Sequence, residues 1–255
     1  MTAPIALQLY TLRNALRDDG LEPTLDRVAR MGYAGVEPFG LDPDSAKRAG
    51  VACESLGLRV PSLHAPLASG PESQAVVETA LALGTPRVVS SSRPDDVANE
   101  GALSRFLDKV EEARMALGEH GIAVGIHNHW WEFEPVEGRV PFDGMRERLP
   151  ADVFFEVDVY WAATAGIDAA TLVADLGERA PLLHVKDGPA KQGEPMVALG
   201  SGSLDIEGIV RAGGAEWLIV ELDDCATDMF RAVAQSLDYL RRTGLGEAGG
   251  SADRG

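Results

Sequence analysis

GIAVGIHNHWWEF, residues Gly121–Phe133, is the stretch whose reading decides the fold. Ile122, Val124 and Ile126 alternate with Ala123, Gly125 and His127, so one face is bulky and the other small, which is the two-residue period of a strand. His127, Asn128 and His129 then crowd three polar side chains at the strand's end, followed by Trp130, Trp131 and Glu132. One histidine in such a place is as often a satisfied structural group as a functional one. Three further stretches repeat the pattern: FFEVDVYW (Phe154–Trp161), LLHVKDG (Leu182–Gly188) and WLIVELDD (Trp217–Asp224). Each is an apolar run that ends in Asp158, in His184 with Lys186, or in Glu221.

Working outward, strand and helix patterns alternate along the whole chain. Strands are expected at Ile5–Tyr10, Ala34–Glu37, Leu58–His64, Arg87–Ser90, Ile122–His127, Val153–Asp158, Leu182–Val185 and Trp217–Glu221. Helices are expected at Leu21–Met31, Pro43–Leu56, Glu72–Leu83, Val97–Gly118, Phe142–Leu149, Asp168–Glu178, Leu204–Ala212 and Thr227–Arg241. Asp42 as N-cap and Gly57 as stop bracket the second of these helices. Eight strand–helix units imply a parallel sheet, and in this length they fit a closed (β/α)8 TIM barrel, an α/β single domain over residues 1–242. A doubly wound open sheet competes, but no G-x-G-x-x-G follows the first strand. Residues 243–255, Gly-rich and polar, predict a disordered C-terminal tail.

Composition limits the function classes. The chain has 255 residues, 45% of them apolar, which is enough for a sizeable core. Lys+Arg of 23 against Asp+Glu of 40 gives a net charge of −17, which argues against a nucleic-acid partner. Cys53 and Cys225 give no disulfide framework and no zinc-finger spacing, in keeping with a reducing compartment. MTAPIALQLY has no basic region before its apolar run, and no stretch approaches a membrane span, so a cytoplasmic protein without a membrane partner is expected.

In a barrel the chemistry sits at the C-terminal ends of the strands. Gln8, Glu37, His64, His127, Asp158, His184 and Glu221 stand at those ends. Carboxylates and imidazoles converging on one mouth are costly without mutual pairing or a cation. A divalent metal ion resolves this, and mixed nitrogen and oxygen ligands suit Mn, Zn, Co, Fe or Mg; a polar mouth held by hydrogen bonds alone is the other solution. Glu37 and His64 are candidates for binding substrate hydroxyls, as are Gln8, His129 and Glu132 beside them. Lys186, on the His184 face, is a candidate for holding an anionic group or an oxyanion. Trp161, with Trp130, Trp131, Tyr160 and Phe133, offers aromatic surface of the kind that packs on a sugar ring. Gly200–Gly202 follows the seventh strand, where barrels often bind phosphate; three such residues with no Arg beside them are a weak signal, which leaves open whether the substrate is phosphorylated.

Taken together, IALQLYTLR, GYAGVEPFG, SLHAPL, GIHNHWWEF, EVDVYW, LLHVKDG and IVELD resemble the sugar phosphate isomerase/epimerase superfamily, the xylose-isomerase-like TIM barrels, in its HNH-x-x-EF branch. The resemblance runs from Ile5 to about Leu240. It implies a divalent metal held by strand-end side chains, with Asp158, His184 and Glu221 matching three of the four positions. The first position, a Glu in many members, is His127 here; His127 or Glu132 then completes the set. It further implies a small-molecule sugar or keto-sugar substrate and proton abstraction alpha to a carbonyl, with Glu221 as base and His127 as the second catalytic group if it is not a ligand. A β-elimination on a 3-keto-glycoside fits the same residues, and a non-catalytic sugar-binding barrel is a third reading. A His-rich trinuclear phosphodiesterase is disfavoured by five histidines in all and by the acidic charge. The loop Trp130–Pro135 is expected to be exposed and to offer a homodimer contact.

Overall fold

The structure, a computed structural model, describes residues 2–249. Its strands are β1 (Ala3–Gln8), β2 (Gly35–Glu37), β3 (Leu63–His64), β4 (Arg87–Ser91), β5 (Ala123–His127), β6 (Phe154–Asp158), β7 (Leu182–Val185), β8 (Trp217–Val220) and β9 (Gly246–Glu247). The helices are α1 (Arg13–Asp18), α2 (Leu21–Met31), α3 (Pro43–Leu56), α4 (Ser73–Leu83), α5 (Glu100–Gly118), α6 (Pro141–Arg148), α7 (Val159–Thr164), α8 (Ala169–Leu176), α9 (Ile206–Ala212) and α10 (Met229–Arg242). The strands pair in parallel in the order β2-β1-β8-β7-β6-β5-β4-β3. The ring closes between β2 and β3 through isolated bridges, Gly35 to Arg59 and Phe39 to His64. This is a (β/α)8 TIM barrel in one α/β domain, as the alternation predicts.

Two departures from the expected elements have local causes. The third strand is reduced to Leu63–His64, because Pro61 cannot donate to a ladder. The helix α7 was not expected; it starts at the very end of β6, where one oxygen of Asp158 accepts from the amides of Tyr160 (3.0 Å) and Trp161 (2.8 Å).

Alternation on the strands sorts the core into two parts. Ile5, Leu7, Phe155, Val157, Leu183, Val185, Leu218 and Val220 join the large cluster between sheet and helices. Ala6, Val89, Phe154, Leu182, Trp217 and Ile219 form a separate cluster that fills the barrel. The small face of β5 follows from this filling, since a Cβ on Gly125 would run into the Phe154 ring. One layer further toward the C-terminal ends, the inward positions become polar. The register places His127 opposite Glu156, and Asp158 opposite His184.

The expected tail from residue 243 is corrected over its first seven residues. Leu245 is buried, Gly246 and Glu247 pair in parallel with Ala3 and Pro4, and the Gly249 amide donates to Gly32 O at 2.9 Å. The rest of that segment lies outside the described residues. No helix among the described residues is long and apolar enough to cross a membrane.

Candidate active site

Four strand-end side chains define the centre of the mouth. Ligand atoms of His127, Asp158, His184 and Glu221 lie within 4.8 Å of one another, all four residues being buried. Each is delivered by the last inward position of β5, β6 and β7 or, for Glu221, by the residue after β8. Asp158 is divided in use. One oxygen caps α7, and the other faces the mouth, 3.7 Å from His127 Nε2. Asn128 fixes the turn: its amide oxygen accepts from Asp158 N at 3.0 Å and its amide nitrogen donates to Asp158 O at 3.1 Å.

His184 is clasped by carboxylates from both sides, with Nδ1 2.7 Å from Glu221 and Nε2 2.7 Å from Glu37 and 3.1 Å from Glu156. Burial disfavours its charge, but Glu156, Glu221 and Glu37 outweigh burial and push its pKa well above the usual imidazole range. His127 has the opposite fate: burial lowers it to about 3, so its ring is neutral at pH 7 and available as a ligand. Burial raises Asp158 to about 6 against the pull of Lys186 and His184. For Glu221 burial is overcome by Lys186 and His184, which hold its carboxyl well below the usual range.

A second tier surrounds this centre. Glu156 was not singled out by sequence, yet it is fully buried between three imidazoles: His64 Nε2 at 2.5 Å, His184 Nε2 at 3.1 Å and His127 Nδ1 at 3.2 Å. The available signal was its position two before Asp158, on the same strand face. Glu37 is also fully buried, accepting from Ser62 Oγ and from Gln8 Nε2 (2.7 Å). Gln8 spends its other atom on the Tyr10 amide, so Gln8 and Glu37 brace His184 rather than present free groups to a substrate. His64, with a fifth of its side chain exposed, does reach the opening.

Three of the expected features lie turned into the protein. Glu132 points away from the ligand cluster, with Ser92 Oγ donating to one oxygen at 2.6 Å and the His129 amide to the other at 2.8 Å. It therefore braces the HNH turn, with both oxygens engaged within the protein and outside the four-residue cluster. Lys186 is not free to take an anion: its ammonium lies 2.9 Å from Asp158, 2.8 Å from Glu221 and 2.7 Å from Asp223. The loop Trp130–Pro135 is largely turned inward, leaving Glu134 and Pro135 exposed. Around it, His129 stacks on Trp131 at 4.1 Å and Trp130 packs on Trp161 at 4.7 Å, making one aromatic wall beside the opening. Trp161 itself is nine-tenths buried, and the Lys186 ammonium lies 5.4 Å from its ring.

The Gly200–Gly202 loop is already filled. The buried Asp187 carboxylate accepts from the amides of Gly188 (2.8 Å), Gly200 (2.9 Å), Gly202 (2.9 Å) and Leu204 (3.2 Å). A Cβ on Gly202 would collide with that carboxylate, which accounts for the glycine.

The central residues fit a divalent ion on chemical grounds. They are a mixed nitrogen and oxygen donor set, and His127 Nδ1, Asp158 Oδ2 and Glu156 Oε1 are buried without an aligned hydrogen bond.

Barrel and mouth define a class, the (β/α)8 barrel with an acid–imidazole centre at its strand ends. The sequence matches the model of the xylose isomerase-like TIM barrel family over residues 25–243, and the chain belongs to that family. No curated protein matches the sequence. Among solved structures, a sugar phosphate isomerase/epimerase from Parabacteroides distasonis superposes with a TM-score of 0.82 at 24% identity, over 97% of this chain and 96% of its own. A D-allulose 3-epimerase from Methylomonas sp. gives 0.68 at 14%, over 94% and 98%. An AP endonuclease, family 2, from Brucella melitensis gives 0.70 at 15%, over 94% and 99%. At these identities the likeness is one of fold.

Proposed function

We propose that the chain is a metal-dependent isomerase or epimerase of a sugar or keto-sugar, acting by proton abstraction alpha to a carbonyl. The observation that carries this reading is the gathering of His127, Asp158, His184 and Glu221 within 4.8 Å at the barrel mouth. These four residues would hold the ion, for which His184 would have to release one of its ring protons. A divalent ion bound there supplies Lewis-acid polarisation of the substrate carbonyl, which makes the neighbouring C–H more acidic. Glu221 is the base: at 6% exposure it is the least buried of the four mouth acids, Glu37, Glu156 and Asp158 being at 0%. Its carboxylate is ionised at pH 7, and His184 Nδ1 at 2.7 Å fixes its orientation. His64 and the Trp130–Trp161 wall line the approach and suit a polyol with apolar ring faces. The isomerase/epimerase and D-allulose 3-epimerase neighbours are in keeping with a small sugar substrate.

A second reading, β-elimination from a 3-keto-glycoside, is favoured by one observation. With His127 in the ligand cluster, its nitrogen has no lone pair left for a second proton transfer. That leaves Glu221 to act alone, as a one-base isomerisation or an elimination requires. Solvent deuterium exchange followed by NMR tests both. The parent chain loaded with Mn2+ is expected to exchange the proton alpha to the carbonyl of a keto-sugar. Glu221→Gln should keep an oxygen ligand and slow the exchange ~100-fold or more. Mass spectrometry then separates an isomer of unchanged mass from loss of the C–O leaving group. Exchange as fast in Glu221→Gln as in the parent refutes Glu221 as base. Stoichiometric Mn2+ retained in an Asp158→Ala, His184→Ala double variant refutes the site.

A further inference from the structure

Lys186 Nζ divides its contacts among three carboxylates, and they are not equivalent. Asp158 at 2.9 Å and Glu221 at 2.8 Å belong to the ligand cluster; Asp223 at 2.7 Å does not. Asp223 sits two residues beyond Glu221 on the chain leaving β8, and a third of its side chain is exposed, whereas Lys186 is 1% exposed. The ammonium hydrogen-bonds Asp223 and lies at ion-pair distance from Asp158 and Glu221. The lysine thus shares with His184, 2.7 Å from Glu221, the neutralising of two buried acids that face each other.

We propose that Lys186 is a built-in placeholder cation: it holds Asp158 and Glu221 together when no metal ion is bound, and it withdraws onto Asp223 when one binds. This rests on the reading that His127, Asp158, His184 and Glu221 hold a divalent ion. A divalent ion brought onto the same two carboxylates would lie close to the ammonium and repel it, which favours the ammonium's displacement. The lysine can do so, being a point charge on a flexible four-carbon stem. Its third carboxylate remains after the other two are taken, and the Trp161 ring 5.4 Å from Nζ offers a second contact for the displaced charge. Asp223 is therefore a positioning residue: it touches no ligand atom of the cluster and acts through Lys186. The consequence is a metal affinity set below what the four ligands alone would give.

Calorimetric titration of Mn2+, repeated with Zn2+, into the full chain tests this without recourse to turnover. Lys186→Met is expected to bind Mn2+ about tenfold or more tightly than the parent, since the competing cation is gone. Asp223→Asn is expected to bind about tenfold more weakly, since the displaced ammonium has lost its refuge. Asp224→Asn, the same charge change on the exposed neighbour, should leave the affinity within about twofold. In the Lys186→Met, Asp223→Asn double variant the effect of Asp223→Asn should vanish. Lys186→Met that binds no more tightly, or an Asp223→Asn loss of the same size with and without Lys186, overturns the proposal. If Lys186→Met does not fold, the pair Asp223→Asn and Asp224→Asn decides, and equal effects of the two overturn it. If the parent binds neither ion, the metal reading fails and the placeholder falls with it; if the parent binds and the variants do not differ, the placeholder alone fails.

Discussion

Glu132 lies with both carboxyl oxygens inside the protein, one bonded by Ser92 Oγ and the other by the His129 amide. Burial raises its pKa from an ordinary 4.5 to about 7, against those two hydrogen bonds. A carboxyl whose folded pKa exceeds its unfolded one contributes stability that is complete below about 4.5 and is lost as pH rises through about 7. Relative to Glu132→Gln, which carries no charge to bury, the parent should therefore lose Tm between about pH 4.5 and 7. The effect is at most ~3 kcal/mol. Thermal melts across that range check it; an equal fall in both proteins would refute it. The roles of single residues were unequally legible in the sequence. His127, Asp158, His184 and Glu221 each close an apolar run, so alternation placed them at the mouth. Glu132 also follows such a run, but the tight HNH turn carries it back toward Ser92, and no periodicity describes a turn. Glu156 and Asp223 escaped because their importance lies in contacts across strands, which one strand's pattern does not contain.

The strands and helices obey simple rules where those rules act alone. Asp42 caps α3 by accepting from the amides of Asp44 and Ser45 at 3.0 Å each, and Gly57 ends it with a φ of 69°, as expected from their types. The helix α7 was invisible because Val159, Tyr160, Trp161 and Ala162 are all buried, so no amphipathic period marks it. Its cap, Asp158, was already committed to the site, and nothing in the sequence says that one carboxylate does both jobs. The small inward face of β5 makes an element-scale prediction. Gly125→Ala should cost about 1–3 kcal/mol, since the added methyl meets the Phe154 ring inside the barrel. Phe154→Leu in the same chain should recover part of that loss. Denaturant unfolding of the single and double variants measures both, and additive losses would show that the two positions do not press on each other.

At the scale of the molecule, the eightfold alternation of strand and helix was enough to give the barrel, because each unit buries its apolar face only when the ring closes. The ninth strand was not readable: two residues carry no pattern, and a run of glycines reads as loop. Leu245 nevertheless lies in the core beside it. Leu245→Ala should lower stability by roughly 2 kcal/mol or more, seen as a lower calorimetric Tm; an unchanged Tm would mean that this segment adds nothing to the barrel.

The carboxylate of Asp187 has a consequence for the whole charge pattern. A chain of net charge −17 keeps one of its negative groups inside a ring of four main-chain amides, where an anion from solution would otherwise dock. The loop is in effect pre-inhibited against phosphate. Asp187→Ala vacates the amides and should melt several degrees lower, and millimolar inorganic phosphate or sulfate should then restore part of the loss by chemical rescue while leaving the parent's melting unchanged. Rescue of both proteins alike, or of neither, would mean that the amides are not an anion cradle. The loop is thus self-occupied, its own carboxylate standing where an added anion would bind.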